Sequence, residues 1–299
     1  MESLKELYKI GVGPSSSHTM GPMRAALRIK EMYPRAARYH VELYGSLSLT
    51  GRGHMTDVIL KRTLAPASVS VSFRDEVLPF HPNGMIFHAY TADGTLLCSV
   101  GGGSIVWQGD AIPKPKEVYE QKSMAEILEY TDRRGISLYE YVLEHEDGDM
   151  EEYLYAILEA MFQSVETGLH KSGVLQGKLQ LKRVAKSIFQ QAQNTRREAD
   201  RERLLISSYA YAVAEENADG GRIVTAPTCG ASGIMPAVLY YSYKQLHVEK
   251  KDLIKALAIG GLFGNVVKSN ATISGADGGC QAEVGTACAM AAAAMAWIY

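Results

Sequence analysis

A chain of 299 residues is long enough for one large domain or two ordinary ones. With 46% hydrophobic and 21% charged residues it has the composition of a soluble globular protein, and a net charge of −2 argues against a nucleic-acid footprint. Four scattered cysteines (Cys98, Cys229, Cys280 and Cys288) exclude a disulfide scaffold, and the opening Met-Glu-Ser-Leu-Lys-Glu-Leu-Tyr has no apolar signal-peptide core, which together point to the reducing cytoplasm.

Residues 1–9 read as a short helical lead-in to Gly11-Val-Gly-Pro-Ser-Ser-Ser-His18-Thr19-Met-Gly21-Pro22. Thr19 or a nearby serine can cap the helix that follows, and Pro22 suits its first turn. Ala25, Ala26, Ile29 and Met32 then recur at helical spacing. Ser15, Ser16, Ser17, His18 and Thr19 therefore gather at a helix N-terminus, either as a cradle for a carboxylate or phosphate or as a serine-rich capped turn. Tyr39 to Leu49 alternates and reads as a strand. It leads to Gly51-Arg-Gly53-His54, where His54 stands on a flexible turn, either as a general base or merely solvated, before a helix capped near Thr56 or Asp57.

Ser68–Phe73, Met85–Tyr90 and Thr95–Val100 read as strands, with a turn at His81-Pro82-Asn83-Gly84 and a hairpin across Asp93-Gly94. Gly101-Gly102-Gly103 closes an α+β section at residues 1–104, and residues 105–120, with Pro113 and Pro115, read as a linker. From 121 to 299 the period becomes helical, so this section is expected to be all-α. Leu154, Ile157, Leu158, Met161, Phe162, Val165 and Leu169 share one helical face, closed by Gly168 or Gly173. Leu181–Gln193, Glu202–Glu216, Ile234–Leu246 and a helix capped by Asp252 and running to Gly264 follow, with Asn265–Asn270 as a connection and Gln281–Tyr299 as the last helix. That last helix is too short for a membrane span and ends without a glycine or a basic turn, which leads us to expect a longer version of the chain.

Two glycine-rich stretches, Arg222–Pro236 around Cys229 and Thr272–Glu283 around Cys280, each put a cysteine ahead of an apolar helix. A thiolate there can ligate a metal or cluster; a tight inter-helix turn around a buried cysteine explains the same pattern. No C-x-x-C, H-E-x-x-H, Walker loop or G-x-S-x-G occurs, and no lysine stands out as a pyridoxal-phosphate anchor.

Several long motifs, in order and spread over nearly the whole chain, resemble one family. Residues 13–22, 43–54 and 81–85 resemble the β domain of iron–sulfur L-serine dehydratases, and residues 181–183, 215–233 and 273–285 resemble their α domain. The resemblance implies a regulatory serine-binding-like α+β domain followed by an all-helical catalytic domain, acting as an L-serine ammonia-lyase that yields pyruvate and ammonia. It implies a 4Fe-4S cluster serving as Lewis acid, with Cys280 as a ligand and Cys229 as a possible second. It makes His54 the base, with Ser15, Ser16, Ser17, His18, Thr19 and Asn83 on the substrate side and Thr225, Thr228 and Gly230 in a loop over the cluster. Cys288 and Cys98 are expected to be packed thiols. The family's remaining cluster cysteines belong to a later Cys-Asp-Pro-Val-Ala-Gly…Pro-Cys motif, which does not occur here. A non-catalytic L-serine-binding module, or one part of a split enzyme, is therefore the alternative. The expected partners are L-serine and a second copy in a homodimer, with no nucleic acid and no membrane.

Overall fold

The computed structural model describes residues 1–79, 83–94, 96–103, 106–107, 116–177, 179–273 and 275–299. The chain divides into two compact units: Met1–Gly13 with Pro115–Tyr299, and Pro14–Lys114. One division falls between residues 114 and 115, and the first thirteen residues go with the helices. Most of the expected linker, the start of the strand at Thr95 and the turn residues His81 and Pro82 lie outside the described residues.

The Pro14–Lys114 unit is built on a sheet. Its strands are β2 (Arg38–Leu43), β3 (Ser68–Phe73), β4 (Gly84–Tyr90), β5 (Leu96–Gly103) and β6 (Val106–Trp107), in the order β3-β2-β4-β5-β6. β2 and β3 are parallel and the other pairs antiparallel, and the expected β4–β5 hairpin closes with Gly94 at φ 90. Alternation along the strands sends Tyr39, Val41, Leu43, Met85, Phe87 and Ala89 to one face. There they form a single core with Ala25, Ala26 and Ile29 of α1 (Gly21–Met32) and Leu60 and Leu64 of α3 (Thr56–Leu64). The other face carries His40 opposite His88, with Glu42 beside them. Hydrogen bonds from Arg74 above all, aided by His88 and Tyr44, hold the Glu42 carboxyl down at about 2 against the effect of its burial.

One sequence expectation fails in this unit. The strand does not run to Leu49: it ends at Leu43, and Gly45–Thr50 is a short helix, α2. Gly45 adopts φ 54, which turns the chain off the sheet, and the apparent alternation beyond it is helical, with Leu47 buried and Leu49 81% exposed.

The other unit is mostly helical. Ser123 and Ser137 each form a capping box, with Glu126 and Glu140, at the heads of α4 (Met124–Arg134) and α5 (Leu138–His145). In α6 (Met150–His170) the whole predicted apolar face is buried, from Leu154 to Leu169. Gly168 lies within the helix instead of closing it, and its bare Cα meets the backbone of Ala212 on α8 (Glu198–Ala218). The helix expected from Leu181 begins at Ala185 (α7, Ala185–Asn194), because the Glu215 carboxylate accepts the N–H groups of Val184 and Ala185 and so fixes its first turn. α9 spans Ile234–Gln245. α10 runs from Lys250 to Asn270, so the expected 265–270 connection is helical. The last helix, α11 (Gly275–Ile298), is broken at Gly279, whose φ of 72 and ψ of 178 separate a first turn from the helix that begins at Cys280.

The unit is not wholly helical. β1 (Ile10–Val12) pairs antiparallel with β7 (Arg222–Val224), a strand the helical reading of this section did not foresee because its partner lies at the other end of the chain. The same N-terminal segment is tied further in: the Tyr8 hydroxyl donates to Leu257 O at 2.9 Å, and the Asn265 amide donates to Glu2 O at 2.7 Å. No helix among the described residues is long and apolar enough to cross a membrane.

Candidate functional site

In the sheet unit, the serine-rich stretch folds as a single wide turn, Ser16–Met20, that runs directly into α1. Ser15 is its cap, and its hydroxyl accepts the His18 N–H at 3.2 Å. Thr19 Oγ1 accepts the Ser15 N–H at 3.2 Å and donates to His54 O at 2.7 Å. Thr56 Oγ1 donates to His18 O at 2.6 Å. These bonds lock the turn before α1 against the glycine turn before α3. They use the Ser15 and Thr19 hydroxyls in building the site, while Ser16 and Ser17 are exposed.

The locked turns bring two imidazoles together. The His18 and His54 ring centroids are 4.8 Å apart with a 43° tilt. His18 is buried, with Ser17 Oγ at 2.8 Å from Nδ1 and Ser46 Oγ at 2.8 Å from Nε2. Hydroxyls can donate or accept, so they suit a neutral ring. Burial first, and then the neighbouring His54, hold the His18 imidazole below its ordinary value of 6.5, while hydrogen bonding to Ser46 pulls the other way. His54 is half-buried, and its Nδ1 has no hydrogen-bond partner among the described residues. Asn83 is half-buried next to Gly84, whose carbonyl accepts the Tyr44 N–H at the β2–α2 junction that leads to Ser46.

Sequence reasoning gave no role to Ser46 and offered Thr56 only near a helix cap, whereas the cap is Met55 and the Thr56 hydroxyl binds His18 O instead. Both lie in or beside residues 43–54, one of the stretches that carry the family resemblance, but neither the β2–α2 turn nor the docking of Thr56 on His18 is visible in local pattern.

The predicted loop of the helical unit has residues of two kinds. Thr225 is buried and structural: Oγ1 donates to Leu7 O at 2.7 Å and accepts the Lys9 N–H at 2.9 Å. Thr228 Oγ1 and Ser232 Oγ are buried without hydrogen-bond partners among the described residues. The Cys229 thiol is buried, Gly230 is exposed, and the Glu283 carboxylate of α11 lies against Gly230. The two glycine–cysteine stretches thus meet within this unit. Cys280 is exposed at the helix start that follows Gly279.

Cys288 is exposed as well, contrary to the expected core position. Ala287, Met290, Ala291 and Ala294 make the buried stripe of α11, and Cys288 sits just off it. The Cys98 side chain lies outside the described residues. Among the described residues no group of three or more His, Cys, Asp or Glu side chains is arranged to hold a metal ion.

A different cluster in this unit went unread in the sequence. Arg183, 3% exposed, sits among Asp219 at 2.7 Å, Glu216 at 3.1 Å and Glu215 at 3.8 Å, and Lys171 reaches Glu216 at 2.7 Å. Its members come from two of the quoted family motifs and from Lys171.

Comparison with known proteins follows the two halves of the chain. The family model described as serine dehydratase beta chain matches residues 3–70, and that described as serine dehydratase alpha chain matches residues 108–299. The chain belongs to the serine dehydratase family, a family of lyases. It is 35% identical to L-serine dehydratase 1 of Escherichia coli (strain K12), over 99% of this chain and 78% of that protein. It is 37% identical to an L-serine dehydratase of Streptomyces coelicolor, over 98% and 78%. For an L-serine dehydratase of Haemophilus influenzae the identity is 36%, over 100% and 79%. These alignments extend over 355 to 358 residues, more than the 299 of this chain, so the relatives carry internal residues that it does not.

Proposed function

We propose that the chain binds L-serine and takes part in its elimination to pyruvate and ammonia, with His54 as the base. The observation that carries this reading is the His18–His54 pair, set among hydroxyls at two locked turns. The reaction removes the α-proton, expels the β-hydroxyl and leaves 2-aminoacrylate, which tautomerises to an imine and hydrolyses. A base for the first step has to be neutral and held in place. Thr19 fixes the His54 backbone, and a buried, neutral His18 spares its neighbour the repulsion of a second imidazolium. Ser16 and Ser17 are exposed residues of the same turn, where the substrate carboxylate would be received, although Ser17 Oγ also binds His18 Nδ1. Of the predicted substrate group, Ser15 and Thr19 support the site and do not need to touch the ligand.

The cofactor reading is narrower. A 4Fe-4S cluster is held by several cysteine thiolates. Cys280 is exposed and suited to be one of them, but Cys229 is buried, and the described side chains bring no three ligating groups together. The described residues therefore do not fit the cluster as a complete donor set. That observation supports a second reading, in which the chain binds L-serine without turning it over.

One experiment separates the two. The protein is purified and reconstituted anaerobically, and iron, sulfide, L-serine binding and pyruvate release are read together for the natural chain and for His54→Ala. Pyruvate release by the natural chain, reduced by roughly 100-fold or more in His54→Ala at unchanged iron content, is the expected result. Binding without iron or pyruvate would favour the second reading. Equal turnover by both proteins would remove His54 as the base.

A further inference from the structure

We infer that a cavity lying wholly within the helical unit binds a small α-amino acid as its zwitterion. The site uses neither His54 nor any other residue of the proposed elimination. The cavity measures about 210 Å³, and its polar lining comes from Glu2, Glu117, Lys122, Asn265, Lys268 and Ser269. Asn265, Lys268 and Ser269 stand at i, i+3 and i+4 on α10, so one face of that helix presents all three. Glu2 and Glu117 are held side by side by an isolated antiparallel bridge, and Asn265 and Lys268 both reach Glu2. The Asn270 amide donates to Lys122 O at 2.6 Å, which ties the segment before α4 to the same helix.

Asn265 carries the argument. It is 1% exposed, and its side-chain nitrogen donates to Glu2 O at 2.7 Å, while Oδ1 is buried with no hydrogen-bond partner among the described residues. The carbonyl of Glu2 can only accept, so the amide nitrogen must face it and Oδ1 stays an acceptor. A buried acceptor left bare costs free energy, so a donor is due at this oxygen. Asn265 lines the cavity, and the cavity is where that donor arrives. One water would satisfy Oδ1, yet the space is several times the volume of a water, about 30 Å³.

Charge selects the ligand. Lys268 pairs with Glu2, and Lys122 stands 3.4 Å from Glu117, so the lining carries both signs in equal number. A simple anion or cation would leave one sign unmatched. A zwitterion matches both: its ammonium goes to Asn265 Oδ1 and the Glu2 carboxylate, and its carboxylate goes to the lysine ammonium groups. The Lys122 and Glu117 side chains are 59% and 60% exposed, so their pair is weak and is readily exchanged for contacts with a ligand.

The test is calorimetric binding to the full chain with three matched probes: L-alanine, propanoate, which lacks the ammonium, and ethylamine, which lacks the carboxylate. L-Alanine has no β-hydroxyl to eliminate, so the outcome is independent of the serine reading. The natural chain should bind L-alanine roughly tenfold or more tightly than either other probe. Asn265→Leu should weaken L-alanine by a similar factor. Lys268→Met keeps the Asn265–Glu2 bond, so it decides the matter even where Asn265→Leu fails to fold. It makes the lining net negative and should shift preference from L-alanine toward ethylamine. No binding of L-alanine by the natural chain overturns the inference and leaves the cavity to water. Propanoate or ethylamine binding as tightly as L-alanine overturns it too. So does unchanged L-alanine affinity in a folded Asn265→Leu, or an unchanged preference in Lys268→Met, since the ligand would then sit elsewhere.

Discussion

Two histidines of the same unit, with ring centroids 4.8 Å apart, have different surroundings. His18 has both ring nitrogens engaged by hydroxyls and is buried, which favours the neutral ring. His54 keeps Nδ1 without a partner among the described residues. The depressed value of His18 has a consequence for stability. Above its ordinary value of 6.5 the ring is neutral in both the folded and the unfolded chain. As pH falls through 6.5 the unfolded chain takes up the proton first, so stability declines until the folded chain also protonates. Thermal melts recorded from neutral to mildly acid pH should therefore fall less steeply for His18→Asn than for the natural protein. Equal slopes would remove His18 as a source of the pH dependence.

Contacts between elements depend on a few residues whose type is dictated by the neighbour. Gly168 is one: α6 carries it against α8 so closely that an added Cβ would lie 2.2 Å from Ala212 O. Neither helix can yield without disturbing the buried faces on both sides. Gly168→Ala should destabilise the protein by about 1–3 kcal/mol, the usual range for overpacking, although alanine is the better helix former. Chemical denaturation measures this; a gain in stability would mean that the two helices can separate freely. α4 and α5 show the opposite case, in which local chemistry is sufficient: each capping box satisfies its own helix end within a few residues.

At the scale of the whole chain, distant segments are joined by polar ties in addition to apolar packing. The first thirteen residues belong to the helical unit through β1–β7 pairing, the double use of the Thr225 hydroxyl and the Tyr8–Leu257 bond. The Arg183 cluster joins the segment before α7 to the end of α8, next to the glycines that precede β7. Removing its guanidinium would leave Glu216 with Lys171 alone and Asp219 without its cation. Breaking a buried pair in this way costs about 3–5 kcal/mol. Arg183→Met should lower the stability of the helical unit by that order, read as a reduced denaturation midpoint. An unchanged midpoint would show that water or rearranged side chains compensate.

What the sequence by itself determined is whatever acts over a few residues or is carried in long motifs. The apolar period of α6, the β3 strand, the β4–β5 hairpin at Asp93-Gly94 and the family itself were all legible, because side-chain period, turn chemistry and ordered motifs need no knowledge of distant partners. The tertiary structure alone decided that α2 follows Gly45, that β7 exists, that Cys288 faces outward and that Glu283 lies on Gly230. It also decided that His18 meets Ser46 and His54. Each of these depends on which segments pack against each other. Periodicity can show that a residue faces a neighbour, but the identity of that neighbour emerges only when segments far apart in the chain bury their surfaces together.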